Sequence, residues 1–103
     1  MAFQGVTMTI QRMTSKQIEA ELKNLPGWTL RDEKLHRELK FKNFRQAFGF
    51  MTQVAIQAEC MNHHPEWRNV YSRVTLDLTT HEAGGISQRD FELARKIEEI
   101  LAG

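Results

Sequence analysis

This chain of 103 residues has few cysteines, little net charge and no long apolar run, and each of these features would point to a particular class of protein. It has one cysteine, Cys60, which excludes an internal disulfide and fits a reducing compartment. The formal net charge is +1, which predicts neither direct binding to nucleic acid nor attraction to an acidic membrane surface. No apolar run reaches membrane-spanning length, and the N-terminus lacks the pattern of a secretory signal. We therefore expect a cytoplasmic protein.

Apolar spacing and turn residues predict one domain, residues 14–103, after a flexible N-terminal tail, residues 1–13. Val6, Met8 and Ile10 alternate in that tail, so a short strand is the alternative there. The predicted order is α-β-β-α-β-β-α. It indicates an α+β fold, a four-stranded antiparallel sheet with three helices packed on one face.

Local signals place the boundaries of these elements. A capping box at Thr14–Gln17 opens the first helix, Asn43 caps the second and Ser87 caps the third. Pro26-Gly27 ends the first helix and Asp32-Glu33 turns the first hairpin. The predicted strands are Trp28–Arg31, Lys34–Phe41, Trp67–Tyr71 and Arg73–Thr80, and the last is followed by a flexible turn at Ala83-Gly84-Gly85.

The longest predicted helix, Asn43–Met61, has two neighbouring apolar stripes instead of one. A helix that packs only on its own sheet usually needs a single apolar face. Two readings stay open: contact with another subunit, or a thick core within one subunit. The stripes are Phe44, Phe48, Met51, Ala55 and Ala58, and beside them Ala47, Phe50, Val54 and Met61.

Three of the four histidines lie around one proline-bounded junction. His63 and His64 precede Pro65, which disfavours helix at the residue before it, and Trp67 adds a ring for stacking. Consecutive side chains in extended backbone point in different directions, so His63 and His64 can line two walls of one pocket. His81, at the end of the last predicted strand, has the parity of the outward-facing residues. Imidazoles give and take protons near neutral pH, so the cluster predicts proton-transfer chemistry on a small flat substrate.

Other readings exist for each residue. A histidine at a helix C-terminus also interacts favourably with the helix dipole. Three histidines can bind zinc, but adjacent ligands rarely reach one tetrahedral centre, and no HExxH or CxxC spacing is present. Asp90 fits a second capping box with Ser87, and Glu82 fits a solvated charge at a strand end. Cys60 is expected to be a packing thiol, and Trp28 and Tyr71 to be core or sheet aromatics.

Longer motifs resemble the pterin-4a-carbinolamine dehydratase family, which in animals is also called the dimerisation cofactor of hepatocyte nuclear factor 1-alpha. The resemblance covers roughly residues 26–100, and the His-His-Pro-x-Trp core with a distant Thr-His is its most specific part. The matching motifs are Phe41-Lys42-Asn43-Phe44, Ala47–Met51, Glu59-x-x-Asn62-His63-His64-Pro65-Glu66-Trp67, Asn69-Val70-Tyr71, Leu78–Glu82 and Ser87-x-x-Asp90.

The resemblance implies removal of water from 4a-hydroxytetrahydrobiopterin during tetrahydrobiopterin recycling, without cofactor or metal. It implies that His63, His64 and His81 are catalytic. We assign proton transfer to His63 and His81, and pterin orientation mainly to His64. The other implied contacts to the pterin are Asn62, Pro65, Trp67, Thr79, Thr80 and Glu82, while Glu59 and Asp90 would orient histidines.

The resemblance also implies partners. The family forms homo-oligomers, dimers or tetramers, and its animal members stabilise the dimerisation helices of a transcription factor, which would add a nuclear location in a eukaryote. A protein-binding module is therefore the alternative class of function. Many family members have Asp at the position of Asn62, and an amide there supplies no negative charge to a neighbouring imidazole.

Overall fold

The computed structural model describes residues 9–103, so the predicted alternation at Val6 and Met8 lies outside the described residues. Three helices and four strands follow one another in the predicted order, which confirms the α+β fold. The helices are α1 (Ser15–Leu22), α2 (Phe44–Met61) and α3 (Gln88–Ala102), and the strands are β1 (Thr29–Arg31), β2 (Lys34–Lys40), β3 (Glu66–Val70) and β4 (Arg73–Leu78).

The four strands form one antiparallel sheet in the order β1-β2-β4-β3. Alternation along each strand gives the sheet an apolar face, which packs against the helices, and an open face that is mostly charged. Leu35 lies opposite Leu78 on the apolar face, and His36 lies opposite Asp77 on the open face. The buried core contains, among others, Leu35, Val54, Val74, Leu76, Leu78, Phe91, Leu93 and Ile97.

The predicted helix caps are all present. Thr14 and Gln17 bond each other's backbone amides at the start of α1, and Asn43 Oδ1 accepts from the Gln46 amide at the start of α2. Ser87 and Asp90 form the second capping box at the start of α3. Each cap satisfies amides that have no partner within the helix, which is why these short polar patterns located the helix starts correctly.

The end of α2 is set by a left-handed residue. Asn62 has φ 52° and ψ 44°, and its amide bonds the Glu59 carbonyl, while the next amide, of His63, bonds the Ala58 carbonyl. This pair of bonds is the Schellman closure of a helix, and Asn is among the residues that tolerate the left-handed conformation best. The closure reverses the chain at the point where the histidine motif begins.

Several expectations need correction. Cys60 is exposed and is not a packing thiol, and Tyr71 is 66% exposed at the turn between β3 and β4. The last strand ends at Leu78, not at Thr80, and the following residues form a 3-10 turn, His81–Ala83. Trp28, by contrast, lies in the core as expected, and its Nε1 donates to Glu98 Oε2 at 2.8 Å.

The residues before α1 are partly docked. Met13, the last residue of the predicted tail, is buried, and its amide bonds the Ile86 carbonyl at 2.8 Å. The core of the domain therefore reaches at least one residue upstream of the predicted boundary at 14. None of the helices formed by residues 9–103 is both long and apolar enough to cross a membrane.

The two apolar stripes of α2 have different surroundings. Ala47, Phe50 and Val54 are buried on the sheet, as the second stripe predicts. In the other stripe Phe44 and Phe48 are about half exposed and contact each other with tilted rings, whose centroids are 5.6 Å apart. A single chain therefore does not cover the whole apolar surface of α2.

Candidate active site

The most enclosed of the candidate site residues is His63. Its ring is buried, and its Nε2 donates to Asp90 Oδ1 at 2.6 Å. His63 follows the left-handed turn at Asn62, and Asp90 lies in the first turn of α3, so the bond joins the end of one helix to the start of another. A carboxylate that accepts from one ring nitrogen fixes the orientation of the imidazole and leaves the other nitrogen for chemistry.

Asp90 is fully buried, and its second oxygen is also satisfied. Oδ2 accepts from the Ser87 amide at 2.9 Å and from the Thr80 hydroxyl at 2.8 Å. Thr80 and Ser87 are themselves buried and bond through their hydroxyl oxygens at 2.6 Å. One carboxylate thus caps α3, holds His63 and anchors the segment that leads to His81. The capping role and the predicted orienting contact use different oxygens of the same group.

His64 has the opposite environment to its neighbour. Its side chain is 57% exposed, and Nε2 bonds Glu59 Oε1 at 2.9 Å. Glu59 lies in the last turn of α2 and is itself mostly exposed. The two consecutive histidines therefore diverge, one into the fold and one to the surface, each with its own carboxylate.

His81 lies on the 3-10 turn with its side chain 82% exposed. The chain leaves β4 after Leu78, and Thr80 pairs with Gly85 across a tight loop, in which Gly84 has φ 75°. His81 Nε2 bonds Glu66 Oε2 at 3.1 Å. The exposure expected from strand parity is present, although a turn instead of a strand produces it.

The two histidine-bearing segments are tied together at two points. One is the buried chain from His63 through Asp90 to Thr80, and the other is the surface bond from Glu66 to His81. Residues 62–67, 79–82 and 87–90 are thereby fixed relative to one another. Among the described residues, no group of three or more His, Cys, Asp or Glu side chains has the arrangement of a metal site.

The other residues predicted to contact the pterin differ in their exposure to solvent. Thr79 and Pro65 are half-buried, and Asn62 and Glu82 are exposed at the same junction. Trp67 faces the apolar side of the sheet, opposite Leu76, and packs against the core. Thr80 directs its hydroxyl to Asp90, as described above. Its contact to a ligand stays a prediction, as do the roles of the other residues.

Sequence reasoning missed two residues of this region: Lys34 and Glu66. Lys34 Nζ donates to Glu66 Oε1 at 2.5 Å, and this hydrogen bond is the largest cause that holds the pKa of Glu66 below its ordinary value. Strand alternation was the available signal, since Glu66 precedes the inward-facing Trp67 and so must face the open side of the sheet.

The fourth histidine, His36, lies on β2 and is buried on the open face of the sheet. Its Nδ1 bonds Asp77 Oδ1 at 2.7 Å and its Nε2 bonds Glu38 Oε2 at 2.8 Å. Burial lowers the pKa of His36, but the hydrogen bonds to Glu38 and Asp77 outweigh it, so the pKa is raised. His36 lines an open groove of about 590 Å³ that runs along the open face of the sheet to Glu66 and Arg68.

Comparison with known proteins defines the class to which this fold and histidine junction belong. The family model of the pterin 4 alpha carbinolamine dehydratases matches residues 11–100, and the chain belongs to this family, which is a family of dehydratases. A crystal structure from Brucella melitensis, described as a transcriptional coactivator/pterin dehydratase, is similar, with a TM-score of 0.85 and 43% sequence identity. The match covers 87% of this chain and 98% of that one.

Relatives of similar length carry the same family name. A protein of Prochlorococcus marinus (strain MIT 9303), named as a pterin-4-alpha-carbinolamine dehydratase, is 52% identical over 96 residues, which are 93% of this chain and all of the relative. A protein of the same name from Solibacter usitatus (strain Ellin6076) is 53% identical over 92 residues, covering 89% of this chain and 97% of its own. The resemblance inferred from the motifs is thereby confirmed at the level of the family.

Proposed function

We propose that this protein removes water from a 4a-hydroxytetrahydropterin, giving the quinonoid dihydropterin, by acid–base catalysis with histidine side chains. The observation that carries the proposal is the paired fixation of His63 by Asp90 and of His81 by Glu66 in a member of the dehydratase family. The natural setting would be tetrahydrobiopterin recycling in the cytoplasm.

The reaction needs two proton transfers. An acid protonates the departing 4a-hydroxyl so that it leaves as water, and a base accepts the proton from N5, so the pair of electrons of the N5–H bond forms the new double bond. An imidazole can perform either step near neutral pH. We assign the two transfers to His63 and His81, and substrate orientation mainly to His64, whose exposed ring contacts Glu59.

The direct test measures dehydration of synthetic 4a-hydroxytetrahydropterin by the purified protein and its variants. His63→Ala and His81→Ala should lower kcat by about 10²–10⁴-fold, since each removes a proton-transfer group. His64→Ala should mainly raise KM. The matched control is His36→Gln, which removes the fourth histidine from the open face of the sheet and should keep both constants. A His81→Ala variant with the parent kcat would remove His81 from the catalytic set.

A second test concerns the absence of a metal requirement. Acid–base catalysis by imidazoles alone predicts that exhaustive chelation leaves kcat unchanged. Zinc-dependent catalysis would instead require added metal to restore the activity. Restoration by zinc after loss on chelation would contradict the proposed mechanism.

We further propose that the protein is a homo-oligomer, a tetramer or a dimer, with the exposed apolar stripe of α2 between subunits. Phe44 and Phe48 leave about half of each side chain in solvent in a single chain, which burial against another helix would remove. The native mass in solution at micromolar concentration tests this. A monomer there would contradict it.

The same surface supports a second candidate function, binding of a transcription factor's dimerisation helices. The supporting observations are the exposed stripe of α2 and the description of the Brucella melitensis relative as a transcriptional coactivator/pterin dehydratase. A helical dimerisation peptide should form a mixed complex of defined native mass with the parent protein. Phe48→Gln should weaken that complex while the purified variant retains kcat. If it binds the peptide as the parent protein does, α2 is not the binding surface.

A further inference from the structure

The side chain of His81 needs a neighbouring group to fix its orientation, because the short turn that carries it does not hold the ring in place. It lies on a three-residue turn, and 82% of its side chain is exposed. Within residues 9–103 its ring is hydrogen-bonded to Glu66, through Nε2 and Oε2 at 3.1 Å. An exposed imidazole without such a partner samples several rotamers and both tautomers, whereas proton transfer needs one nitrogen at a fixed place.

Glu66 is well placed to provide that support. It is the first residue of β3, pairs with Asp77 in the sheet and directly follows Pro65. The segment that carries His63 and His64 therefore also carries the carboxylate that reaches His81. Because Glu66 belongs to a hydrogen-bonded strand, its backbone is held more firmly than the turn that carries the histidine.

Lys34 in turn holds Glu66. It is the first residue of β2, and its Nζ donates to Glu66 Oε1, while Oε2 of the same carboxylate faces His81. The hydrogen bond from Lys34 is the largest cause that lowers the pKa of Glu66, and that to His81 also lowers it, so the carboxylate is charged at neutral pH. Asp77, opposite Glu66, is engaged with His36 instead.

We propose that Glu66 is the positioning residue of His81 and that Lys34 holds the Glu66 carboxylate in the required orientation. The charged carboxylate accepts from Nε2–H, which selects that tautomer, leaves Nδ1 for proton transfer and stabilises the imidazolium formed during that transfer. The proposal rests on the proposed dehydratase function and adds two residues, from β2 and β3, to the His81 side of the site.

The test compares Glu66→Gln with Glu38→Gln. Glu38 is a matched control, since it also lies on the open face between a histidine and a cation, His36 and Arg31, at 2.8 and 3.3 Å. Glu66→Gln should lower kcat about tenfold, at the lower end for a residue that orients an active-site histidine, because the pair is exposed. KM should stay within about twofold because Glu66 does not bind substrate in this proposal. Glu38→Gln should keep the parent values.

Rescue by a conservative variant of Lys34 gives a readout that a merely structural role would not move. Lys34→Met should lower kcat less than Glu66→Gln, and Lys34→Arg should restore most of it. An unchanged kcat in Glu66→Gln would overturn the proposal.

A double variant separates this inference from the proposed function. In the His81→Ala background, Glu66→Gln should have no further effect on kcat, because the residue it acts through is gone. An equal loss in both backgrounds would show that Glu66 does not act through His81. The proposed function fails by a different result, namely a parent protein without dehydratase activity. In the resting protein, the ring-nitrogen NMR signals of His81, but not those of His63, should change in Glu66→Gln.

Discussion

The two histidines assigned to proton transfer are held by opposite means. His63 is buried and bonds a fully buried carboxylate that also caps a helix, whereas His81 lies on an exposed turn and bonds a surface carboxylate. Buried networks are expensive to break, since every group left without a partner loses its hydration as well. Exposed pairs contribute little to stability. Stability and positioning are therefore coupled at His63 and separable at His81.

The largest effect is expected from the removal of Asp90. Asp90→Ala leaves the Thr80 hydroxyl, the Ser87 amide and the His63 ring without their buried acceptor. We expect the free energy of unfolding to fall by about 3–5 kcal/mol, because three buried donors lose their acceptor and each unsatisfied group costs about 1–3 kcal/mol. Glu66→Ala, the exposed counterpart, should leave the denaturation midpoint almost unchanged. Urea denaturation of both variants measures the contrast, and equal losses would refute it.

If Asp90→Ala does not fold, Asp90→Asn answers the same question. The amide retains one carbonyl oxygen as acceptor but presents a donor group where the carboxylate had a second acceptor. We expect an intermediate loss of stability and a lower kcat, because His63 faces either a weaker acceptor or a competing donor. A variant with the parent kcat would show that the charge of Asp90 is not needed at His63.

A smaller effect is expected at Thr80, which bonds Asp90 from the His81 side. Thr80→Val preserves the shape but removes the hydroxyl that donates to Asp90 and contacts Ser87. The free energy of unfolding should fall by about 1–3 kcal/mol, the cost of a lost buried hydrogen bond. Thr75→Val, at a half-buried position on the open face, is the control and should be close to neutral. Equal behaviour of the two variants would remove Thr80 from the network.

The sequence located most of the fold because its signals are local. The caps at Thr14, Asn43 and Ser87 and the stop at Pro26 are each visible within a few residues, and the structure contains all of these boundaries to within a few residues. Tyr71 and Cys60 were assigned wrongly because their residue types alone predict burial. Tyr71 is exposed because it lies at a turn, and Cys60 is exposed because it lies on the solvent side of α2.

The site was harder to predict where it depends on pairing between distant strands. The bond between Lys34 and Glu66 follows from the register of β2, β4 and β3, and the burial of His36 follows from its place opposite Asp77. The end of β4 was also missed, since Thr80 turns inward to reach Asp90 ten residues later. Each of these features depends on a residue that is distant in sequence, and a local sequence pattern does not identify that residue.

A still smaller effect is expected at Asn62, which ends α2. Asn62→Ala places a residue with a Cβ but no local polar compensation at φ 52°, which should lower the free energy of unfolding by about 1 kcal/mol. Asn62→Gly should restore that loss, because glycine adopts the conformation freely. Thermal denaturation of the pair measures this. Asn62→Asp should keep activity and move the pH profile upward, because it adds a negative charge beside the imidazoles.

The smallest effect is expected at His36, away from both His63 and His81, and it should show only as a pH dependence. The pKa of His36 is raised in the folded protein above the ordinary value of 6.5, because bonds to Glu38 and Asp77 outweigh the effect of burial. A raised pKa means that the folded state binds the proton more tightly, so this stabilisation is complete below pH 6.5 and is lost as the pH rises through the folded pKa. The difference in unfolding free energy between the parent protein and His36→Gln should therefore shrink as the pH rises above about 6.5. Thr75→Ser, which removes no titratable group, is the control and should keep a constant difference. A difference that grows with pH for His36→Gln would contradict the assigned sign.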